Sequence, residues 1–270
     1  MKVVLFCGGQ GLRLRDYSDK IPKPLVPVGN KPILWHIMKY YAHFGHRDFI
    51  LCLGYQGDPI KDYFLNYDRH VSNDFILKRG GKIDLMSNDI ENWNITFVET
   101  GFNSNIAERL SRVKEYLKDE EIFLANYADG LTDMPLPTMI NKFKNLDKVA
   151  MMMTARPTHS MKMTIINDSD EVTDIQDLSN LDIWINAGYF IFTKDIFNYI
   201  DTSEDLPVKT FPRLVEENQL AAFPYDGVFL TMDTYREKER LDDMYANGET
   251  PWQVWNNSLL NRFQPSKNLA

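Results

Sequence analysis

The chain has 270 residues, and its 30 Lys and Arg against 38 Asp and Glu give a formal charge of −8 and a sequence pI near 5.2. An acidic excess of this size speaks against a general nucleic-acid binder, which carries a basic face. The composition, 44% hydrophobic and 25% charged, is that of a folded globular protein, and no apolar run approaches the roughly 20 residues that span a bilayer. The expectation is a cytoplasmic chain with neither nucleic-acid nor membrane partners. Cys7 and Cys52 lie inside apolar runs and read as reduced, buried small side chains; two cysteines make neither a disulfide framework nor a cysteine metal site.

The first half alternates strand-like and helix-like segments. Residues 2–7 read as a strand, followed by a polar glycine loop, a helix over 33–44 with apolar positions at helical spacing, and a strand over 48–53. That order is the βαβ pattern of a parallel sheet with helices on its faces. Further strands are expected over 95–99, 122–127 and 149–154, and helices over 60–65, 107–118 and 136–143. In the second half, 163–167 and 172–175 read as sheet-edge strands, 185–193 as a buried strand, and 194–200 and 212–218 as helices. No repeat or Gly/Pro/Ser-rich linker divides the chain. One α/β domain over 1–270 is expected, with a hairpin insertion over 66–92 around Gly80-Gly81 and a C-terminal tail over 236–270.

The most informative stretch is Gly8-Gly9-Gln10-Gly11-Leu12-Arg13, directly after the first strand. Glycines at a strand end let backbone N–H groups approach a phosphate and form an anion-binding nest. The spacing fits neither the dinucleotide fingerprint nor a Walker A loop. Shortly afterwards, Pro22 and Pro24 bracket Lys23 and hold its backbone extended. Open parallel sheets bind ligands at this carboxyl edge. Asp129 follows the apolar run 122–128, and Asp233 ends another run about a hundred residues later. Two carboxylates at strand ends beside a phosphate loop read as magnesium ligands, since magnesium is commonly held by one or two carboxylates plus substrate phosphates and water. His36 sits on an apolar helical face and reads as a core or interface residue, and the other histidines make no metal-site spacing. The run Met151-Met152-Met153 reads as buried strand.

With these residues in place, the sequence resembles the sugar-1-phosphate nucleotidylyltransferases. The glycine loop with its arginine, Pro22-Lys23-Pro24, Asp129-Gly130, Asn186-Ala187-Gly188-Tyr189 and Met232-Asp233-Thr234 carry the likeness. Within them it is most similar to the glucose-1-phosphate cytidylyltransferase branch, through Lys31-Pro32-Ile33-Leu34-Trp35, Gly54-Tyr55, Trp93-Asn94, Glu99-Thr100-Gly101, Arg109 to Val113, and Pro251-Trp252-Gln253-Val254-Trp255. The resemblance implies a Rossmann-like nucleotidyltransferase fold with a mixed, mostly parallel sheet and helices on both faces. It also implies Mg2+ dependence and attack of an acceptor phosphate oxygen on the α-phosphorus of CTP, with release of pyrophosphate. Arg13 would meet the β- and γ-phosphates, and Lys23 the α-phosphate or the incoming phosphate. Asp129 and Asp233 would hold the metal. Phe6, Cys7, Gly8, Gly9, Gln10, Gly11, Leu12, Ser104, Arg109 and Ala128 would line the nucleotide, and Asn186 would meet the sugar. A homo-oligomer is implied as well, with Trp252 and Trp255 offering aromatic anchors for a second copy.

The acceptor half departs from the pattern. Where the family carries Glu-Lys-Pro, with the lysine on the acceptor's phosphate, this chain has Gln176-Asp177-Leu178. The Arg-Phe-Gly stretch is replaced by Thr158-His159-Ser160-Met161-Lys162-Met163, two glycines have become Ala107-Glu108, and the glycine before the metal aspartate is Ala128. The charge reversal at Asp177 predicts that glucose-1-phosphate is a poor acceptor, unless a cation such as Lys162 has taken over. A thymidylyl-, uridylyl- or guanylyltransferase of the same fold, and a non-catalytic nucleotide-binding regulatory protein, stay open at this point.

Overall fold

The apolar runs of the first half become strands whose carboxyl ends share one sheet edge. The computed structural model describes residues 1–9, 21–67, 75–85, 90, 92–157, 162–178 and 181–256. In chain order its strands are β1 (Val3–Phe6), β2 (Pro27–Val28), β3 (Lys31–Pro32), β4 (Asp48–Leu53), β5 (Phe75–Leu77), β6 (Ile83–Leu85), β7 (Asn94–Glu99) and β8 (Ile122–Asn126). There follow β9 (Gly130–Thr132), β10 (Ala150–Ala155), β11 (Lys162–Ile166), β12 (Val172–Asp177), β13 (Ile185–Thr193), β14 (Leu220–Tyr225) and β15 (Phe229–Thr231). The α-helices are α1 (Ile33–His43), α2 (Gly57–Leu65), α3 (Ile106–Arg112), α4 (Leu136–Lys144), α5 (Phe211–Glu216) and α6 (Tyr235–Ala246).

The central sheet has seven strands among the described residues, in the order β14-β10-β13-β8-β1-β4-β7. Strands β8, β1, β4 and β7 run parallel, as does β14 with β10, while β13 is antiparallel to both its neighbours. A mixed, mostly parallel sheet results. Side chains on successive strand residues point to opposite faces: Val3 and Leu5 join α1, α2, α4 and α6 in one core, and Val4 and Phe6 join α3 and α5 in the other. Each fully buried Val or Leu in these cores contributes about 1.5–3 kcal/mol. Burial pushes the Cys52 thiol up to about 12 and the Cys7 thiol well above its usual value, so both stay protonated. No helix among the described residues is long and apolar enough to cross a membrane.

Several boundaries differ from the sequence reading. The helix expected over 107–118 is broken: α3 stops at Arg112, and Lys114–Leu117 tightens into a 3-10 turn that places Leu117 in the core. Strands β11 and β12, expected at the edge of the main sheet, pair with each other as a separate two-stranded ribbon. Within 66–92, β5 and β6 form an antiparallel ribbon closed by Gly80-Gly81. The segment read as a tail carries α6, and Trp252 is 1% exposed inside the core. Its indole packs edge-on to His36, and Trp255 stacks on the same ring. Trp252 is therefore not available as an anchor for a second copy, because its own domain already covers it.

Candidate active site

Asp129 and Asp233 arrive at one place through a short antiparallel ladder. β9, which begins directly after Asp129, pairs with β15, placing Gly130 opposite Thr231. The Met232 N–H then donates to the Asp129 carbonyl at 3.0 Å. Asp233 stands just before the cap of α6, where Thr234 and Glu237 form a reciprocal capping box. Glu237 also accepts the Asp233 N–H at 2.8 Å, so the aspartate backbone is held at the helix entry. On the other side, Ala128 adopts φ +62°, a left-handed conformation uncommon for a residue with a Cβ. Asn126 Oδ1 fixes that turn by accepting the Ala128 N–H at 2.7 Å.

Lys23 meets both aspartates. Its 3-10 turn, Lys23–Leu25, is set by Pro22 and Pro24, with the Leu25 N–H donating to the Pro22 carbonyl at 2.8 Å. The ammonium donates to Asp129 Oδ2 at 2.8 Å and to Asp233 Oδ1 at 2.6 Å. Burial alone would lower its pKa, but the charges of Asp129 and Asp233 outweigh that and hold it above the ordinary lysine value. The three groups line a cleft of about 720 Å³.

Several residues singled out in the sequence line the same cleft: Phe6, Cys7 and Gly9 from the end of β1, Ser104 and Arg109 near α3, and Ala128 beside Asp129. Gln10, Gly11, Leu12 and Arg13 lie outside the described residues. Arg109 is 3% exposed, and its guanidinium is committed to the protein. Nη1 donates to the carbonyls of Leu53 and Gly101, both at 3.0 Å, and to Thr100 Oγ1 at 2.8 Å; Nη2 donates to the Gly8 carbonyl at 2.9 Å. A Cβ on Gly8 would collide with this guanidinium, whereas one on Gly9 would meet no atom within 4 Å. Gly8 is thus required by Arg109, and of the two described glycines of the loop Gly9 is the one with open space beside it.

Asn186, Lys162 and Asp177 are not among the lining residues. Asn186 is connected indirectly, donating to the hydroxyl of Tyr127, which does line the cleft, at 3.3 Å. Lys162 and Asp177 face each other across the β11–β12 ribbon with N···O 2.5 Å. The Asp177 carboxylate thus has an ammonium beside it, from the Lys162 that the sequence offered as the replacement cation.

The sequence reading missed Tyr127, Asn105, Ile106, Asp205 and Pro207 in the cleft wall. Tyr127 packs edge-on to Phe190, and at Gly188 (φ +73°) a Cβ would strike the Tyr127 ring. Asn105-x-x-Glu108 is a legible capping box. Asp205 carries no local motif for its main contact: Oδ1 accepts the N–H of Ile106 at 3.1 Å, 99 positions away, as well as its neighbour Leu206 at 2.9 Å.

The wall formed by Phe6, Ile106, Tyr127 and Pro207 suits a flat or ring-shaped moiety, and the end at Lys23, Asp129 and Asp233 suits phosphate and cation. Two hard oxygen donors converging on one cation fit a divalent ion. Among the described residues no group of three or more His, Cys, Asp and Glu could hold a metal alone, so such an ion would take further ligands from substrate or water, as magnesium commonly does.

Comparison with known proteins agrees with this geometry. The chain is 37% identical over 260 residues to the glucose-1-phosphate cytidylyltransferase of Salmonella typhimurium, an alignment covering 94% of this chain and 100% of that protein. Among solved structures, HddC from Yersinia pseudotuberculosis superposes with a TM-score of 0.64 at 20% identity, over 90% of this chain and 99% of that one. A UDP-glucose pyrophosphorylase complexed with UDP-glucose gives 0.66 at 15% identity, over 92% and 98%. These two establish likeness of fold. The family model described as nucleotidyl transferase matches residues 2–229, from the first strand through the sheet to the start of β15, and the chain accordingly belongs to the nucleotidyl transferase family.

Proposed function

We propose that the protein transfers the CMP moiety of CTP to a sugar-1-phosphate and releases pyrophosphate, with magnesium as the metal. The near-full-length relative from Salmonella typhimurium supports the substrate pair. The observation that carries the site is the Lys23 ammonium held between Asp129 and Asp233 at the end of a ligand-sized cleft.

In this reading an oxygen of the acceptor phosphate attacks the α-phosphorus, and the bond to the bridging oxygen of the departing pyrophosphate breaks. The acceptor needs no general base, because a phosphate monoester is largely dianionic at neutral pH. Negative charge spreads over the α-phosphate and the leaving group, so stabilisation falls to fixed cations and N–H donors. Lys23 supplies one such charge, and the open side of Gly9 lets the backbone approach the phosphates. Asp129 and Asp233 would hold the magnesium, which would supply positive charge against the triphosphate oxygens. Arg13 is assigned to the β- and γ-phosphates, and Ser104 and Arg109 to the nucleoside, Arg109 by holding the loops at Gly8, Leu53 and Gly101 beside the cleft. Asn186 with Tyr127 forms the approach to the sugar. Glucose-1-phosphate is among the acceptors in this proposal, with the Lys162 ammonium beside the Asp177 carboxylate offsetting its charge. A homo-oligomer and a cytoplasmic location belong to the same proposal.

A pyrophosphate-release assay crossing four nucleoside triphosphates with a panel of sugar-1-phosphates, with magnesium or with chelator, tests this reading. CTP with a sugar-1-phosphate and magnesium is the expected active combination. Greater release from another nucleotide, or undiminished release with chelator, would overturn the corresponding part.

A further inference from the structure

The two carboxylate oxygens that converge at the cleft end are already bridged by a cation of the protein's own. Lys23 Nζ stands 2.8 Å from Asp129 Oδ2 and 2.6 Å from Asp233 Oδ1. Magnesium takes oxygen ligands at about 2.0–2.1 Å, so each oxygen would need to close in by only roughly 0.5–0.8 Å to bind it. The space between them, however, is filled. An ammonium and a divalent cation seated on the same two oxygens repel each other and compete for the same side of each carboxylate.

The backbone of Lys23 cannot retreat to make room. Pro22 and Pro24 flank it, and its 3-10 turn is closed by hydrogen bonds from Leu25 to Pro22 and from Val26 to Lys23. Its four-carbon stem can swing, since a lysine places a compact charge on a flexible chain. Lys23, Gly9 and Pro24 line the same cleft, so a phosphate seated beside Gly9 would share it with that stem.

We propose that Lys23 is the resident counter-cation of the metal site, and that a nucleotide triphosphate admits the metal by drawing the ammonium off Asp129 and Asp233 onto its own phosphate oxygens. The proposal rests on the reading that these two carboxylates hold a divalent ion. Its charge balance is simple. Without ligand, the Lys23 ammonium offsets part of the charge of the two carboxylates. With the triphosphate present, ammonium and metal together are matched by carboxylates and phosphates, and neither cation is left facing the other unscreened. Metal and nucleotide then bind with positive coupling, and the empty enzyme takes metal poorly. A lysine serving only to tie the fold together would have no such effect: its removal would lower stability and leave metal affinity unimproved.

The test is Mn2+ binding, followed by water-proton relaxation enhancement, on the wild-type protein, Lys23→Met, and Lys23→Met combined with Asp129→Asn. Lys23→Gln serves in place of the methionine variant should the latter not fold, and unfolding curves accompany each protein. With Mn2+ alone, Lys23→Met is expected to bind at least about tenfold more tightly than wild type, and the gain is expected to vanish in the double variant. CTP is expected to increase the protein-bound Mn2+ signal in wild type. If wild type with CTP holds Mn2+ in a manner abolished by Asp129→Asn, yet Lys23→Met with Mn2+ alone binds no better than wild type, the counter-cation role is wrong and the metal reading stands. If no protein shows Mn2+ that depends on Asp129, with or without CTP, the metal reading fails and this proposal with it.

Discussion

Arg109 and Gly8, 101 residues apart, are joined by a hydrogen bond of 2.9 Å from Nη2 to the glycine carbonyl. The same guanidinium ties the ends of β4 and β7 through Leu53, Thr100 and Gly101. One buried side chain thus sets the relative positions of three loops at the carboxyl edge of the sheet. Arg109→Ala would remove four hydrogen bonds, leaving the Leu53 and Gly8 carbonyls with the N–H groups of Thr100 and Tyr55 but taking the guanidinium from Gly101 and Thr100, and is expected to cost about 3 kcal/mol without any ligand present. Chemical denaturation of the ligand-free variant checks this. A midpoint unchanged from wild type would mean that Arg109 serves the ligand alone.

Ala128 occupies the left-handed region at φ +62°. An L-residue there costs roughly 1–2 kcal/mol, a penalty glycine does not carry, while glycine loses more entropy on folding. Ala128→Gly is expected to raise stability by about 0.5–1 kcal/mol, and Ala128→Val to lower it. Thermal unfolding of the pair decides the matter; destabilisation by the glycine variant would show that the Asn126 bond, rather than the backbone, sets the energy of this turn.

His36 is 1% exposed, its Nε2–H donates to the Val28 carbonyl at 3.0 Å, and its pKa is lowered to about 4 by burial and the nearby Lys31 charge. Its folded value lies below the unfolded value near 6.5, so the unfolded chain takes up the proton first. Stability from this group is complete above about pH 6.5 and declines as pH falls toward 4, by roughly 3 kcal/mol in all. His46 shifts in the same direction, so the protein's total slope is steeper. His36→Phe is expected to flatten the stability profile between pH 6.5 and 4 relative to wild type. Parallel profiles for the two proteins would contradict the assignment.

The exposed Lys162–Asp177 pair predicts modest effects. Surface ion pairs contribute about 0–1 kcal/mol, so Asp177→Asn is expected to move the melting temperature little and the acceptor KM by less than about threefold. A tenfold gain in acceptor affinity would mean that the carboxylate faces the acceptor despite Lys162.

The parallel half of the fold was legible because its strands are buried on both faces and read as continuous apolar runs between turns, as in Val3–Phe6 and Asp48–Leu53. Asp129 and Asp233 could be found because each follows such a run. Strand β14 was missed: it is a short edge strand containing Pro224 and two alanines, a composition that argues against a strand from local pattern alone. The break in the helix at Val113 depends on Leu117 reaching the core, a tertiary demand with no periodic signature. Contacts such as Asp205 with Ile106, and the need for glycine at position 8, arise only when distant segments meet.

The placement of chemistry at Lys23 is tested most directly by the initial rate of pyrophosphate release from CTP and glucose-1-phosphate, compared between wild type and Lys23→Ala at saturating substrate and magnesium. Loss of one charge-stabilising donor commonly lowers turnover by roughly 10²–10³-fold, and that is the fall expected here, with the variant still folded at the assay temperature. A folded Lys23→Ala protein retaining near wild-type turnover would place the reaction elsewhere in the molecule.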